Sequence, residues 1–302
     1  MAELEEIIVR LAARLGTPAG SPEPLDGGIT NRNYRMRLGG EDYVIRLPGK
    51  DTGLLAISRE AERIASQTAA ALGIAPELTA AEPDCTVTRF TPGRPMTSLE
   101  LTRAPEPVAR ALRAFHGSGI ALPVRFWVPE LLEEYARVAR ERGGTLPDAY
   151  AHAQGIAVRI AAALPLNDPV PCHNDLLPGN LLAVPGGKGE APEVLLVDWE
   201  YAGMGHRLFD LGNLAVNNGL DADAEDRLLE AYFDEPPGAD RTAALALMRI
   251  MSDAREAAWG IVQSVISELD FDFDDYATRH FERLVTAASS PQFEEWIGAA
   301  TA

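Results

Sequence analysis

The sequence predicts an α+β protein in two unequal parts. A small N-terminal part with an antiparallel sheet is expected over residues 1–95, and a larger, mainly helical part over residues 96–302. Three observations carry this reading. Helix, hairpin, helix and strand signals follow one another within the first 95 residues. After residue 97 the apolar pattern is almost wholly helical. Two short apolar strands interrupt those helices, and each ends in acidic residues.

The first element is a helix over residues 3–15, where Leu4, Ile7, Ile8, Leu11 and Leu15 share a face. The segment TPAGSPEPLDGG then breaks the pattern and reads as a loop. Two strand-like runs flank GGED, as in a hairpin. In the second run Tyr43, Ile45 and Leu47 alternate with Val44 and Arg46, which places Arg46 on the opposite face. Residues 57–72 form a helix that stops at Gly73. CTVTRF at 85–90 is a strand, and TPGRPM at 91–96 is a turn between the two parts. Beyond it, ARALRAFHGSG, PELLEEYARVARER and AYAHAQGIAVRIAAAL are amphipathic helices. The strands DPVPCHND and EVLLVDWE are joined by a turn, PGGKGEAP, and helices are expected near 221–234, 239–267 and 275–288.

Composition excludes several classes of function. Hydrophobic residues are 46% and charged residues 24% of the 302, as in an ordinary globular protein. A net charge of −18 argues against a nucleic-acid partner, which needs basic patches. Residues 96–302 hold 16 basic and 32 acidic side chains, a field that draws cations as well as keeping the chain soluble. No run approaches the roughly 18 apolar residues of a membrane helix. The acidic, amphipathic start MAELEEIIVRLAARLG lacks secretory-signal features, so a cytoplasmic location without integral membrane association is expected. Cys85 and Cys172 form no CxxC pair, and Cys172 reads as a small buried residue at a strand end.

The segment carrying most chemistry is HNDLLPGN at 173–180. A carboxylate just past a strand, with an amide five positions later, suits phosphoryl transfer. Asp175 would orient a substrate hydroxyl and accept its proton, and Asn180 would ligate a metal on the nucleotide phosphates. Asp198 and Glu200 follow an apolar strand two residues apart, on one face, where hard oxygen ligands meet Mg²⁺. A Gly-rich loop in LDGGITNRNYRMR is expected to lie over phosphates. Arg46 on a strand and Glu62 on the next helix suit a cation held by a helix glutamate. Each piece alone has an ordinary structural alternative, but their order along the chain is that of a kinase site.

In GGITNRNY, YVIRLPG, REAERIA, VTRF, HNDLLPGNLL, VDWEYAGMGHRLFDLGN and WGIVQSVISELDFDFDDYA the chain resembles the choline/ethanolamine kinase family, within the aminoglycoside-phosphotransferase group. The resemblance covers nearly the whole chain. It implies a two-lobed protein-kinase-like fold, with ATP and Mg²⁺ as cofactors. Asp175 would be the catalytic base, Asn180, Asp198 and Glu200 the metal ligands, and Arg46 and Glu62 the phosphate-holding pair. Thr30 and Asn31 would cover the phosphates, and Thr88, Arg89 and Phe90 would bind adenine. Asp210 and Asn213 would brace the catalytic loop.

The implied substrate is a small cationic alcohol, choline or ethanolamine, lined by Tyr201, Trp259 and Tyr276. A quaternary ammonium has no N–H to donate and is held by aromatic faces and carboxylates. The family's WGLWS keeps its second tryptophan here as Trp259, and Glu256 replaces the first. That favours a more polar, acidic site. An aminoglycoside, thiamine or other cationic-metabolite kinase and a non-catalytic pseudokinase are the alternatives. His116, His152 and His280 read as structural or surface residues and His173 as a brace of the loop, while His206 has no assigned role. The oligomeric state is not legible in the sequence.

Overall fold

The computed structural model describes residues 2–25, 31–49, 52–185 and 193–301. Thr30, the paired glycines of the expected phosphate loop and residues 186–192 of the expected turn PGGKGEAP lie outside them. Helix α1 (Ala2–Leu15) covers one face of a five-stranded antiparallel sheet. The strands are β1 (Pro18–Leu25), β2 (Arg32–Leu38), β3 (Glu41–Leu47), β4 (Leu78–Glu82) and β5 (Cys85–Arg89), in the spatial order β1-β2-β3-β5-β4. The predicted alternation of β3 holds: Tyr43, Ile45 and Leu47 are buried on the α1 side, and Arg46 lies on the other face.

The Pro-rich segment, expected to be a loop, is instead strand β1. It lies at the sheet edge, with a register shift between Ala19 and Glu23. An edge strand bonds on one side only, so it tolerates prolines that a central strand would not. Helix α2 (Arg59–Ala71) connects β3 to β4, and its N-cap Ser58 accepts a hydrogen bond from the Ala61 N–H at 3.2 Å.

The chain then runs through β6 (Arg94–Pro95), α3 (Ser98–Arg103), α4 (Glu106–His116), α5 (Val128–Glu141) and α6 (Asp148–Ala163). Next come β7 (Val170–Cys172), β8 (Leu181–Val184), β9 (Glu193–Leu196) and β10 (Gly203–Gly205). The helices α7 (Arg207–Asn218), α8 (Ala222–Phe233), α9 (Ala239–Ile266), α10 (Phe273–Ala288) and α11 (Pro291–Ala300) complete it. β7 pairs with β10, while β6, β8 and β9 form a small sheet. α9 is the central post of this part, buried along most of Ala243–Gln263.

The apolar interior divides in two. One core holds α1 and its face of the sheet, including Leu11, Leu38, Ile45 and Val87. The other is larger and takes in Ala61, Ala65 and Ala69 of α2 together with the helices of the C-terminal part. None of the described helices is long and apolar enough to cross a membrane.

One helix crossing is close enough to require glycine, and a second is tight. A Cβ on Gly212 of α7 would stand 2.7 Å from the Met248 carbonyl carbon and 2.8 Å from the Arg249 nitrogen, both backbone atoms of α9. A Cβ on Gly260 of α9 would meet Ala277 of α10 at 3.0 Å. These crossings bring Asp210 and Asn213 beside the loop after β7 and Trp259 beside Tyr276. The sequence reading places no helix over α7, whose glycine and asparagines are weak helix formers; packing against α9 overrides that preference.

Gly212→Ala should therefore lose about 1–3 kcal/mol of stability through overpacking. Gly155→Ala, in α6 with nothing within 4 Å of the new Cβ, should gain about 0.5–1 kcal/mol. Urea denaturation of the two variants checks the contrast.

Candidate active site

β7 ends at Cys172, and the loop that follows is held almost entirely by side chains. Asp210 of α7 accepts hydrogen bonds from the backbone N–H groups of His173 at 2.8 Å and Asn174 at 2.7 Å, and from His116 Nε2 at 2.9 Å. His116 Nδ1 lies 2.7 Å from the Tyr232 hydroxyl. The Leu176 N–H donates to Asn213 Oδ1 at 2.6 Å, and Asn218 Nδ2 donates to the Leu176 carbonyl at 3.0 Å. His173 is fully buried, and burial pushes its pKa down. A neutral ring donates from Nε2 to the Val197 carbonyl at 3.0 Å and accepts the Asp175 N–H at Nδ1, 3.3 Å away. His173 is thus the brace that the sequence reading expects. His116, expected to be merely structural or surface, proves to be a member of the same network. Its partner Asp210 is 94 residues away, a pairing no local pattern reveals.

These bonds fix the Asp175 side chain. Its Oδ2 accepts from Asn180 Nδ2 at 3.0 Å, and its Oδ1 faces Arg255 Nη1 at 3.1 Å. Asp175 is 8% exposed. Burial pushes its carboxyl up to about 7; Arg255 opposes this, and the nearby carboxylates of Glu256, Asp198 and Glu200 add to it. A carboxylate with that proton affinity is suited to take a proton from a hydroxyl near neutral pH.

Asn180 turns its amide nitrogen toward Asp175, so its carbonyl oxygen is the end left for a cation. Asp198 follows β9 with φ +64°, an uncommon conformation for a residue with a side chain. Arg46 pairs with both Glu62 and Asp198. Asn31 Nδ2 donates to Asp198 at 3.3 Å. Arg59, which the sequence reading does not single out, bonds Glu62 at 2.6 Å and lies 3.5 Å from Glu200. The result is a ladder of alternating charge: Asp198, Arg46, Glu62, Arg59, Glu200. Glu200 is buried, which raises its pKa; Asp198 adds to the rise, and Arg46 and Arg59 oppose it. The amide and carboxylate oxygens of Asn180, Asp198 and Glu200 are hard donors of the kind Mg²⁺ takes.

A cavity of about 300 Å³ opens beside this ladder, on the sheet face that carries Arg46. Val44, Thr86 and Asp198 line it, and so do Thr88, Arg89 and Phe90. The Arg89 guanidinium is held by Glu77 and Glu41 at 3.0 and 2.9 Å.

The expected substrate residues besides Asp175, namely Tyr201, Glu256, Trp259 and Tyr276, also come together. Trp259 Nε1 donates to the Tyr201 hydroxyl at 2.8 Å, and the Tyr276 hydroxyl donates to Glu256 Oε2 at 2.8 Å. The Trp259 and Tyr276 rings meet edge to face, with centroids 5.5 Å apart. Arg255 lies among them, a residue the sequence reading passes over. It is 1% exposed, its guanidinium carbon sits 4.3 Å from the Tyr201 ring centroid, and its Nη1 is 2.8 Å from Glu256 Oε1. The signal available for it is the cluster of polar residues Ser252, Asp253, Arg255 and Glu256 within the long helix α9.

Comparison with known proteins gives four results. The family model described as the phosphotransferase enzyme family matches residues 21–245. Protein LicA of Haemophilus influenzae is 24% identical over 271 residues, covering 85% of this chain and 76% of LicA. A probable ethanolamine kinase of Arabidopsis thaliana is 26% identical, with coverage of 85% and 76%. The crystal structure of a choline/ethanolamine kinase family protein from Mesorhizobium loti superposes with a TM-score of 0.82 at 29% identity, over 99% of both chains.

Asp210→Ala strands the His173 and Asn174 N–H groups in the interior. The variant should lose about 3–5 kcal/mol of stability, read by urea denaturation. A loss below about 1 kcal/mol would show that the loop does not depend on this carboxylate.

Proposed function

The chain belongs to the phosphotransferase enzyme family, and on that premise we propose that it transfers the γ-phosphoryl group of ATP to the hydroxyl of a small amine-bearing alcohol. Choline and ethanolamine are the alcohols its relatives' names point to. The observation that carries the reading is Asp175: a carboxylate fixed at both oxygens, still reachable from solvent, and basic enough to act near neutral pH.

In this reading the base of ATP lies in the cavity by Thr88, Arg89 and Phe90. Arg46, backed by Glu62, holds the phosphates, and Asn31 covers them; Thr30, expected to do so with it, lies outside the described residues. Asn180, Asp198 and Glu200 hold Mg²⁺, which when bound neutralises charge on the phosphates. Asp175 orients the substrate hydroxyl and takes its proton as the oxygen attacks the γ-phosphorus. The bond to the bridging oxygen breaks, and ADP leaves with the electron pair. The 32 acidic against 16 basic side chains of residues 96–302 favour a substrate that carries an amine. Tyr201, Glu256, Trp259 and Tyr276 form the wall on that side of Asp175.

Asp175→Asn should lower kcat by about 10²–10⁴-fold while ATP binding, measured by calorimetry, stays within about twofold. Near-normal turnover in this variant would remove Asp175 from its role. An ADP-release panel of choline, ethanolamine, thiamine and an aminoglycoside separates the substrate classes. ADP release with none of these alcohols, nor with the hydroxy amino acids L-serine and L-homoserine, would favour a non-catalytic nucleotide-binding role.

A further inference from the structure

We propose that Arg255 decides which amine-bearing alcohol this site accepts: its guanidinium rejects a quaternary ammonium and selects a substrate with a carboxylate beside its amine and hydroxyl, a hydroxy amino acid. The proposal rests on the phosphotransfer reading and narrows its substrate class.

A quaternary ammonium needs an open aromatic face and an uncommitted carboxylate. Both are already engaged by the chain itself. The Arg255 guanidinium lies over the Tyr201 ring at 4.3 Å, and its Nη1 takes Glu256 Oε1 at 2.8 Å. Glu256 Oε2 accepts the Tyr276 hydroxyl, and the Tyr201 hydroxyl accepts Trp259 Nε1. A trimethylammonium brought to Tyr201 would meet a fixed like charge and would have no N–H to exchange for the bonds it displaced.

Arg255 also has something to offer. One nitrogen, Nη1, serves both Asp175 and Glu256. Nε and Nη2 are buried and have no acceptor among the described residues. Those two nitrogens form one edge of the planar guanidinium, the edge that takes a carboxylate with two parallel hydrogen bonds. Unmet donors in the interior are costly, and an oxyanion supplied by the substrate removes that cost. The location suits a small molecule, because Nη1 is 3.1 Å from Asp175 Oδ1. A carboxylate on the free edge is then a few bonds from the hydroxyl that Asp175 orients. Asp175, at 8% exposed against 1% each for Arg255 and Glu256, is the side from which substrate arrives.

The test uses the full chain with Mg²⁺ and ATP and measures ADP release with two matched pairs and choline. L-serine and ethanolamine differ by the carboxylate alone, as do L-homoserine and 3-aminopropan-1-ol. The wild-type protein should prefer the acid of at least one pair by about 10- to 100-fold in kcat/KM, with choline below both members. Arg255→Lys keeps a positive charge beside Asp175 and Glu256 but has no two-nitrogen edge. It should raise KM for the preferred acid and cut the preference for that acid over its decarboxylated counterpart by about 10-fold in kcat/KM, a change of ratio that mere loss of folding would not give. Should wild-type protein prefer choline or either simple amino alcohol, the assignment of Arg255 fails while phosphotransfer stands. Should no alcohol release ADP, the phosphotransfer reading fails and this inference with it. The wild-type comparison decides the matter even if the variant does not fold.

Discussion

A buried carboxylate holds the centre of this molecule together. Asp210 has no exposed surface, and burying its charge is costly unless donors surround it. They do: two consecutive backbone N–H groups of the loop after β7 and the ring of His116. The acceptor sits on α7, the loop follows β7, His116 ends α4, and Tyr232 on α8 touches the other side of the His116 ring. Three elements distant in sequence therefore converge on one side chain, and α8 backs the His116 ring. The direction in which Asp175 points follows from that convergence. So does the need for Gly212, because α7 must lie nearly against the α9 backbone to bring Asp210 and Asn213 into place.

The second organising feature is electrostatic. Asp198, Arg46, Glu62, Arg59 and Glu200 alternate in sign across the junction of sheet, helix α2 and the loop after β9. Each rung joins two charges of opposite sign, so the ladder ties those elements together. Arg255 repeats the logic on the substrate side, where Asp175 and Glu256 share one guanidinium nitrogen.

Much of this is legible in the sequence wherever the signal is local. Period-two alternation in Tyr43–Leu47 gives both the core face of β3 and the functional face that carries Arg46. The spacing within HNDLLPGN gives Asp175 and Asn180, and the apolar run before Asp198 gives the strand that delivers it. Gly73 marks the end of α2 to within two residues. The failures have physical causes. β1 is hidden because prolines suppress a strand signal in general but not at a sheet edge. Arg59, His116 and Arg255 are defined by partners far along the chain, and a solvated arginine and a buried one are identical in sequence. That α2 shares its alanines with the larger core is likewise a matter of packing alone.

That division of the interior bears on cooperativity. Helix α1 and its sheet face make one hydrophobic unit, and α2 with the C-terminal helices makes another. Regions with separate cores open with separate free energies. The seam between them is the sheet face bearing Arg46, the same face that lines the 300 Å³ cavity. Residues on both sides of the seam, Thr88 on one and Asp198 on the other, border that space. A molecule gripping both sides does more than occupy a cleft: it couples two melting units into one, and its binding energy appears as protection against amide exchange in strands that lie far from its own contacts.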